Sequence, residues 1–531
     1  MLTHPMRAHF PIPPLFALTL TLTLTAHTLH ADLHDDIGYR HLANSLGTNT
    51  PDGTGVRVSQ IEASTSTINL VYAPVTGAGT INGSGNYTGK TLVLESDPST
   101  LSNHAVNVAD SFYGNNTNPA SAFSSIAPGI TDIHNYVAGH DNTTSGFFDL
   151  LLNGAAPFVE ASRVQSHAYV SRTSDSGGTT ENDVLRRLDR GINRDGYLAV
   201  VGMDNGSSSN VPFLLGSGYN SLSVGLSNGN HSHGPIPAGL DGQGRIKPEI
   251  VTVHTTTSWA TGAIASAGAF HYQTLLEDFA VPPADESMLI RAVMLAGATK
   301  EESFNWDRTQ SRPLDDQFGL GQLDVYHNHH ILTGGEQNPG PITPYGWNLE
   351  NITATQTHSY TFVIPEFRFA DCTSLIVTWN RRIRANDNPF PLADINLTLK
   401  DAGGTTLDQS IGTLYNYEHI FAKNLPAGTY TAEITSDRTE TYALAWRITH
   451  GSGPLTQTSV SSTNQTTLAF SNLDPLATYH VESSPTLGSW NAEPTSTFNP
   501  SSSTAAWIDP VSIGTGNKFY RLVWDIPAAP P

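Results

Sequence analysis

The sequence predicts an α/β protein with a doubly wound parallel sheet, followed by two all-β, sandwich-like regions. Three observations carry this prediction. Between 32 and about 335, short buried apolar runs alternate with helical patterns, as in parallel sheets that carry helices on both faces. At 334–346 the composition changes to a Gly/Pro-rich linker. Beyond it, strand patterns recur at regular spacing, and no helical pattern interrupts them.

The first region contains the elements of the parallel sheet. Buried parallel strands are predicted for VRVSQIEA (56–63) and YLAVVGM (197–203), with SLSVGL (221–226) as a weaker candidate. Helices are predicted over 106–114, 182–192 and 260–279. Functional sites of such sheets form where the carboxyl ends of the strands meet, so residues that directly follow these strands are the first candidates.

The second region is predicted over 340–450 and the third over 456–531. The second contains six strand patterns: SYTFVI, SLIVTWN, INLTLKD, HIFAKNL, TYTAEIT and TYALAWRI. A further linker, GSGPLTQTS, precedes the third, which contains TTLAFSNL, ATYHVESS and KFYRLVW. Because a linker and a change of pattern mark its end, the first region, 32–335, is expected to fold without the other two.

The amino-terminal segment 1–31 has the pattern of a secretory signal peptide. Arg7 supplies the positive charge, 14–26 forms a short apolar run, and Ala31 offers a small residue for cleavage. The segment is too short to span a membrane comfortably, and no later segment is long and apolar enough. The chain is therefore expected to be secreted or periplasmic, without stable membrane insertion.

The charge balance excludes one class of partner. Lys and Arg number 26 against 47 Asp and Glu, which makes the formal net charge −21. A nucleic acid is not expected as a partner, because phosphate binding needs a basic face.

The segment TTTSWATGAIASAGAF (255–270) is the first sign of chemistry. It places Ser258 at the start of an apolar, Ala-rich helix, where backbone N–H groups and the positive end of the helix dipole converge. This position suits a nucleophile whose attack creates an oxyanion, although a capping serine on a core helix has the same local pattern. Glu62 ends the first strand, and His104 stands at the start of a predicted helix. The chain order is thus acid, histidine, serine, as in the subtilisin arrangement.

Six blocks, taken in order, resemble the subtilisin-like serine peptidases (subtilases, peptidase family S8). The resemblance covers about 36–335, and each block is weak evidence alone whereas the ordered set is strong. The blocks are DGTGVRVSQIEAS, NHAVNVADSFYG, APGI, YLAVVGMDNGS, GRIKPEIV with TTSWATGAIASAGAF, and FGLGQLDV.

The resemblance implies a serine endopeptidase acting on protein or peptide substrates. Ser258 would be the nucleophile, His104 the general base and acid, and Glu62 the residue that orients the imidazole. Asn205 would donate to the oxyanion together with the backbone N–H of Ser258. An ungapped match would put Asp204 at the asparagine position, but an ionised carboxylate has no proton to donate, so Asn205 is preferred.

Departures from the family pattern leave alternatives open. Glu62 stands where the family has aspartate, Thr256 replaces a glycine, and Gly262 replaces a proline. A glutamate carboxylate extends ~1.5 Å further, so activity is expected to be reduced, and Glu62→Asp is expected to retain or raise it. The first alternative is a weakened pseudopeptidase that acts as a binding module. The second is a cell-surface adhesin whose β regions carry the function.

No cofactor or metal is predicted. His231 and His233 lie in an Asn/Gly-rich loop, while His327, His329 and His330 cluster near the end of the first region. All five are expected to be solvated loop residues, because no acid or cysteine accompanies them at a familiar ligand spacing. Structural calcium is common in the family, but no acidic loop of this sequence indicates a site.

Overall fold

The computed structural model describes residues 33–525 with short gaps. The gaps are 65, 67–69, 119–120, 122, 140–145, 172–179, 301–305, 453–455, 463–465, 472, 474–477, 487–489, 500–503 and 511–517. The predicted signal peptide, 1–31, lies outside the described residues. In the part of the chain that is described, no helix is both long and apolar enough to cross a membrane.

The described residues of the first region form ten strands and eight α-helices. The strands are β1 (Val58–Glu62), β2 (Gly77–Asn82), β3 (Thr91–Ser99), β4 (Asp132–Val137), β5 (Val164–His167), β6 (Leu198–Gly202), β7 (Leu222–Leu226), β8 (Gly234–Pro235), β9 (Ile246–Lys247) and β10 (Ile250–Thr252). The helices are α1 (Leu33–Asp36), α2 (Tyr39–Leu46), α3 (Asn103–Phe112), α4 (Phe147–Leu152), α5 (Glu181–Asp195), α6 (Thr257–Asp278), α7 (Pro283–Gly297) and α8 (Val325–Thr333).

Eight of these strands form one sheet in the order β10-β7-β6-β5-β1-β4-β3-β2. Every neighbouring pair is parallel except β2 with β3, which is antiparallel. Strand β1 lies between β4 and β5, in the interior of the sheet. The residue that ends β1 therefore opens onto the carboxyl edge of the sheet, where parallel sheets place their sites.

Both faces of the sheet are buried. Along β6, Leu198 and Val200 belong to the core shared with α6, whereas Ala199 and Val201 belong to a second core shared with α4 and α5. Alternate residues of a strand point to opposite faces, so helices cover both sides of the sheet. The predicted doubly wound α/β class is confirmed, and the three predicted strands and three predicted helices are present with ends shifted by a few residues.

The second region is entirely β in its described part. Its strands are β11 (Gly340–Pro341), β12 (Tyr345–Ile352), β13 (Thr357–Thr378), β14 (Ile395–Asp401), β15 (Thr406–Ser410), β16 (Tyr417–Ala422), β17 (Leu425–Ser436) and β18 (Glu440–Ser452). The order is β12-β18-β13-β17-β14-β15, with β11 and β16 also paired to β13. The two predicted strands SYTFVI and SLIVTWN are one continuous 22-residue strand, β13. It pairs with β17 through its first part and with β16 through its last part.

The third region is a smaller β unit. Its strands are β19 (Thr456–Ser462), β20 (Thr466–Ser471), β21 (Thr478–Ser484), β22 (Asn491–Ala492), β23 (Thr504–Ile508) and β24 (Phe519–Asp525). As far as the region is described, they form two three-stranded sheets, β19-β20-β23 and β22-β21-β24. Buried residues of both sheets, among them Phe470, Tyr479 and Trp507, form a cluster of their own.

Helix α7 connects the first and second regions. It contacts α5, α8 and β6 on one side and β13 and β18 on the other, so nearly all its residues are buried. Thr378 Oγ1 donates to the carbonyl of Met288 at 3.1 Å. The buried guanidinium of Arg291 donates to the carbonyl of Tyr219 at 3.1 Å and to that of Trp379 at 3.0 Å. The predicted boundary at 335 remains a prediction, but one continuous hydrophobic core extends across it.

Candidate active site

Glu62 is the last residue of β1, and its side chain is 1% exposed. A buried carboxylate is costly unless hydrogen-bond donors or an opposite charge compensate it. Two donors face it: Gln60 Nε2 lies 2.9 Å from Oε1, and His104 Nδ1 lies 2.8 Å from Oε2. Each carboxylate oxygen therefore has a partner, and one of the two partners is an imidazole.

His104 is the second residue of α3. Ser102 caps this helix, since its side chain accepts from the backbone N–H of Ala105. The helix packs closely on α6 because Gly262 faces it: a Cβ there would lie 2.8 Å from the carbonyl oxygen of Val108. Gly262, which departs from the family proline, is thus required by the close approach that brings His104 toward the start of α6.

Ser258 is the second residue of α6. Thr256 caps this helix, because its side chain accepts from the backbone N–H of Trp259 at 3.4 Å. The other departure from the family pattern, Thr256 for glycine, therefore has a local structural role. The Trp259 ring lies beside the His104 imidazole, with a centroid distance of 5.1 Å.

The three predicted triad residues come together in one hydrogen-bonded chain. His104 Nε2 and Ser258 Oγ are 3.0 Å apart, and His104 Nδ1 and Glu62 Oε2 are 2.8 Å apart. An ionised carboxylate can only accept, so Nδ1 of a neutral His104 carries the proton and Nε2 accepts from the Ser258 hydroxyl. The carbonyl of Ala168 is a second, longer acceptor for that hydroxyl, at 3.4 Å.

The environment of His104 favours its protonated form. Burial lowers the pKa of this imidazole, but the hydrogen bond and the charge of Glu62 outweigh burial and raise the pKa above its ordinary value of 6.5. The imidazole is therefore a stronger base than a free histidine while remaining partly open, with 36% of its side chain exposed.

The structure brings Asn205, and not Asp204, to the start of α6. Asn205 Oδ1 accepts from the backbone N–H of Thr257 at 3.0 Å and from its hydroxyl at 3.1 Å. These two bonds orient the carboxamide and leave Nδ2 as its donor. Asp204 is exposed, and its carboxylate accepts from the backbone N–H of Asn205. The turn after β6 therefore presents an amide rather than a charge to α6.

Two residues of this site were not predicted from the sequence. Thr257 orients Asn205, and Gln60 contacts Glu62 and is itself fully buried. The signal for Gln60 was available: it lies two positions before Glu62 on a strand, so the two side chains share a face. A polar amide inside an otherwise buried strand indicates a specific partner.

Two predictions about the histidines were wrong. His231 is fully buried. Both of its ring nitrogens have partners there: Nδ1 accepts from the Leu226 backbone N–H, and Nε2 contacts the Gln317 carbonyl. The other group of three lies on α8 rather than in a loop, and burial lowers the pKa of His327 to about 2. Tertiary packing, which local composition does not reveal, buries His231 and His329 and leaves His233, His327 and His330 half-buried.

One acidic group among the described residues brings three carboxylates together. Asp307, Asp315 and Asp316 place one oxygen each within 4.8 Å of one another. Arg312 Nη2 lies 2.7 Å from Asp307 Oδ2, and Asp315 accepts from the backbone N–H groups of Gln317 and Phe318. The protein's own donors thus compensate the carboxylates of Asp307 and Asp315.

Comparison with known proteins gives likenesses among solved structures alone. No protein-family model matches the sequence, and no curated protein matches it. Fervidolysin from Fervidobacterium pennivorans, described as a keratinolytic enzyme related to subtilisin, is 12% identical, with 94% of this chain and 72% of that chain covered and a TM-score of 0.37. The protease domain of PatA, solved as a point mutant, is 14% identical over 54% and 98% of the two chains, with a TM-score of 0.32.

A third likeness is to Pseudomonas sedolisin, a serine-carboxyl proteinase. It is 13% identical, covers 54% of this chain and 95% of its own, and has a TM-score of 0.32. Because these TM-scores are low, the fold is described from the strand order and register given above.

Proposed function

We propose that this chain is a subtilisin-like serine endopeptidase that hydrolyses peptide bonds through an acyl-enzyme. One observation carries the proposal: an unbroken hydrogen-bonded chain runs from Ser258 Oγ through the imidazole of His104 to Glu62. A nucleophile, a base and a residue that orients the base, at these distances and at the carboxyl edge of a parallel sheet, are what acyl transfer requires.

The roles follow from the proton positions. Ser258 Oγ attacks the substrate carbonyl carbon while His104 Nε2 takes its proton, and the resulting imidazolium is stabilised by Glu62. His104 then gives that proton to the leaving amine, and the acyl-enzyme forms. In the second half, a water molecule attacks the acyl carbon while His104 Nε2 takes a proton from it. His104 then returns this proton to Ser258 Oγ as the acyl group leaves.

The oxyanion is proposed to bind between two donors. One is Nδ2 of Asn205, whose oxygen is already bound to Thr257. The other is the backbone N–H of Ser258, in the first turn of α6, where N–H groups have no partner inside the helix. Donors held in place before the reaction stabilise the developing charge without reorganisation.

The local structure favours an active enzyme over the pseudopeptidase alternative. That alternative was suggested by Glu62 and Thr256. The Glu62 carboxylate reaches both His104 and Gln60 at hydrogen-bond distance, and Thr256 caps α6. Neither substitution interrupts the chain of contacts. The adhesin alternative would need a ligand of the β regions, and binding of a glycan or matrix protein by residues 340–531 alone would favour it.

The proposed substrates are proteins or peptides met after export. The predicted signal peptide suggests a secreted or periplasmic location, and the acidic charge disfavours nucleic acid. No cofactor is part of the proposal, because the described chemistry is complete with side chains and water.

A fluorophosphonate probe tests the proposed function directly. We expect the purified protein to react at one residue, which peptide mapping will locate at Ser258, because its hydroxyl contacts an imidazole that is partly exposed. The other described serine–histidine pairs, Ser124 with His34 and Ser374 with His419, are buried and out of reach of the probe. Thr255→Ala is the matched control, since Thr255 is exposed three positions earlier, and it should label as the wild type does. A folded wild type that neither labels nor hydrolyses casein would establish the pseudopeptidase instead.

The pH profile should show the influence of Glu62 on His104. Catalysis needs neutral His104, and Glu62 raises its pKa, so kcat/KM should fall on the acid side with an apparent pKa above 6.5. The measurement is kcat/KM for a chromogenic peptide across the acid and neutral range, with stability checked at each pH. An acid limb below 6.5 would contradict the described pairing of the two residues.

A further inference from the structure

Gln60 is fully buried beneath the proposed triad, and its contacts determine its orientation. One side of its amide lies 2.9 Å from the carbonyl oxygen of Ala105 and 2.9 Å from Glu62 Oε1. A carbonyl oxygen can only accept, so the amide atom that faces it must be Nε2. Gln60 therefore donates one proton to Glu62 and the other to the backbone of the residue after His104.

The opposite side of the amide is anchored as well. Tyr113, which is fully buried, donates its hydroxyl to Gln60 Oε1 at 2.5 Å. Asn135, the register partner of Gln60 on β4, approaches the same oxygen with Nδ2 at 3.5 Å. The amide thus cannot rotate without losing bonds at both ends.

We propose that Gln60, anchored by Tyr113, is the positioning residue that makes a glutamate work as the orienting acid of the triad. The proposal rests on the proposed function. The Gln60 amide binds Glu62 Oε1, the carboxylate oxygen that faces away from His104. The other oxygen, Oε2, thereby points at Nδ1 of the imidazole. Gln60 does not touch substrate or the reacting atoms.

The physical reason lies in the length of the glutamate side chain. It has one more rotatable bond than aspartate, so its carboxylate has more orientations to lose before it can hold the imidazole. One bond to His104 restrains one oxygen, and a second bond to a rigid donor restrains the plane of the whole group. Because Gln60 also binds the Ala105 carbonyl, the same amide ties Glu62 to the helix that carries His104.

The titration of His104 can report on its contact with Glu62. Glu62 is the charged group that raises the pKa of His104. Burial, and to a smaller extent the charge of Glu62, raises the pKa of the Tyr113 and Tyr169 hydroxyls. Both therefore stay protonated throughout the range in which His104 titrates. A change in the titration of His104 therefore reports on its contact with Glu62.

The first test compares two matched substitutions. Gln60→Met removes the donor to Glu62, and Gln165→Met is the control. Gln165 is equally buried, lies on the neighbouring strand β5, and also donates to a carboxylate, Glu160 Oε2, at 2.8 Å, but on the opposite face of the sheet. For Gln60→Met we expect kcat/KM to fall roughly 10–100-fold, mostly in kcat, as when an outer partner of a functional group is removed. Gln165→Met should leave kcat near the wild-type value.

The second readout does not depend on activity. The titration of the His104 imidazole is followed by NMR, with its signal identified by its absence in His104→Ala. In Gln60→Met the midpoint should move to lower pH, because a looser Glu62 raises the pKa of His104 less. Tyr113→Phe removes one buried oxygen and should shift the midpoint the same way by a smaller amount, which keeps the test decisive if Gln60→Met does not fold.

Different results would overturn different claims. A His104 midpoint that stays in place or moves to higher pH in Gln60→Met and Tyr113→Phe would overturn the positioning role. So would equal losses of kcat in Gln60→Met and Gln165→Met. If the wild type neither hydrolyses casein nor reacts with the fluorophosphonate probe, the proposed function fails, while the titration still decides whether Gln60 holds Glu62 against His104.

Discussion

Residues 32–335, expressed without the β regions, are expected not to fold into a stable, active protein. This reverses the expectation from the linker and the change of pattern. The reason is α7, which ends before the linker but packs against β13 and β18 beyond it. Its buried apolar side chains, such as Leu289 and Val293, belong to the same core as Trp347 and Trp446 of the second region.

Removing the second region would expose more buried apolar surface than the free energy of unfolding of the first region can compensate. Exposing a large apolar side chain costs about 1.5–3 kcal/mol, and a whole domain is stable by only about 5–15 kcal/mol. Arg291, which is 2% exposed, would also lose its bond to the Trp379 carbonyl. A few such losses together equal the stability of the first region.

Polar contacts across the boundary add to the same effect. Asp387 of the second region bonds Arg187 at 2.6 Å and Arg190 at 2.8 Å, both on α5. Trp347 Nε1 donates to the carbonyl of Leu332, at the end of α8, at 2.9 Å. These contacts reach two helices of the first region, so the second region supports more than one side of it.

The matched control is a longer fragment, 32–452, which keeps the second region and removes the third. The buried residues of the third region form a separate cluster, so its removal should leave cooperative unfolding and turnover intact. Circular dichroism, thermal unfolding and cleavage of a chromogenic peptide are measured for both fragments. Cooperative unfolding and full turnover of 32–335 would show that the shared core is dispensable.

Substitutions in the proposed triad are expected to give a graded series. Ser258→Ala should lower kcat by about 10⁶-fold, the size seen when a triad serine is removed, and leave the fold intact. Glu62→Gln should cost on the order of 10⁴-fold. Gln60 and His104 each donate to one oxygen of Glu62, but a glutamine has a single acceptor oxygen. When that oxygen accepts from Gln60, the amide NH2 faces His104 Nδ1, which must then accept. The proton of the imidazole then lies on Nε2, which cannot take the Ser258 proton.

Glu62→Asp is expected to lower activity, contrary to the expectation from the family pattern. The glutamate carboxylate already lies at hydrogen-bond distance from both Gln60 and His104. An aspartate would withdraw it by ~1.5 Å, and a misplacement of ~1 Å costs ~10²-fold. The backbone of β1 pairs on both sides, with β4 and β5, so it cannot easily shift to compensate.

The series is measured as kcat and kcat/KM on casein and on a chromogenic peptide. Glu160→Gln is the control for Glu62→Gln, because Glu160 is a buried carboxylate that precedes β5, at the amino end of the parallel strands. It should leave kcat unchanged. If Ser258→Ala turned over casein as fast as the wild type, the assignment of Ser258 as the nucleophile would be rejected. If Glu62→Gln did so, Glu62 would have no role in the mechanism.

Much of this protein could be predicted from local pattern. The alternation of strand and helix signals determines the α/β class, because both faces of a parallel sheet must be covered by helices. The same pattern placed Glu62, His104 and Ser258 at a strand end and at two helix starts, where the structure has them. These are properties of short segments, and the periodicity of a short segment is visible in its sequence.

Tertiary structure alone decided what depends on contacts between distant segments. The sequence could not show that a helix before the linker is covered by strands after it, or that Gln60 and Tyr113 meet beneath Glu62. It predicted solvated positions for His231 and His329, which packing buries. Such features depend on which surfaces exclude water together, and burial of that kind is a property of the assembled core rather than of any one segment.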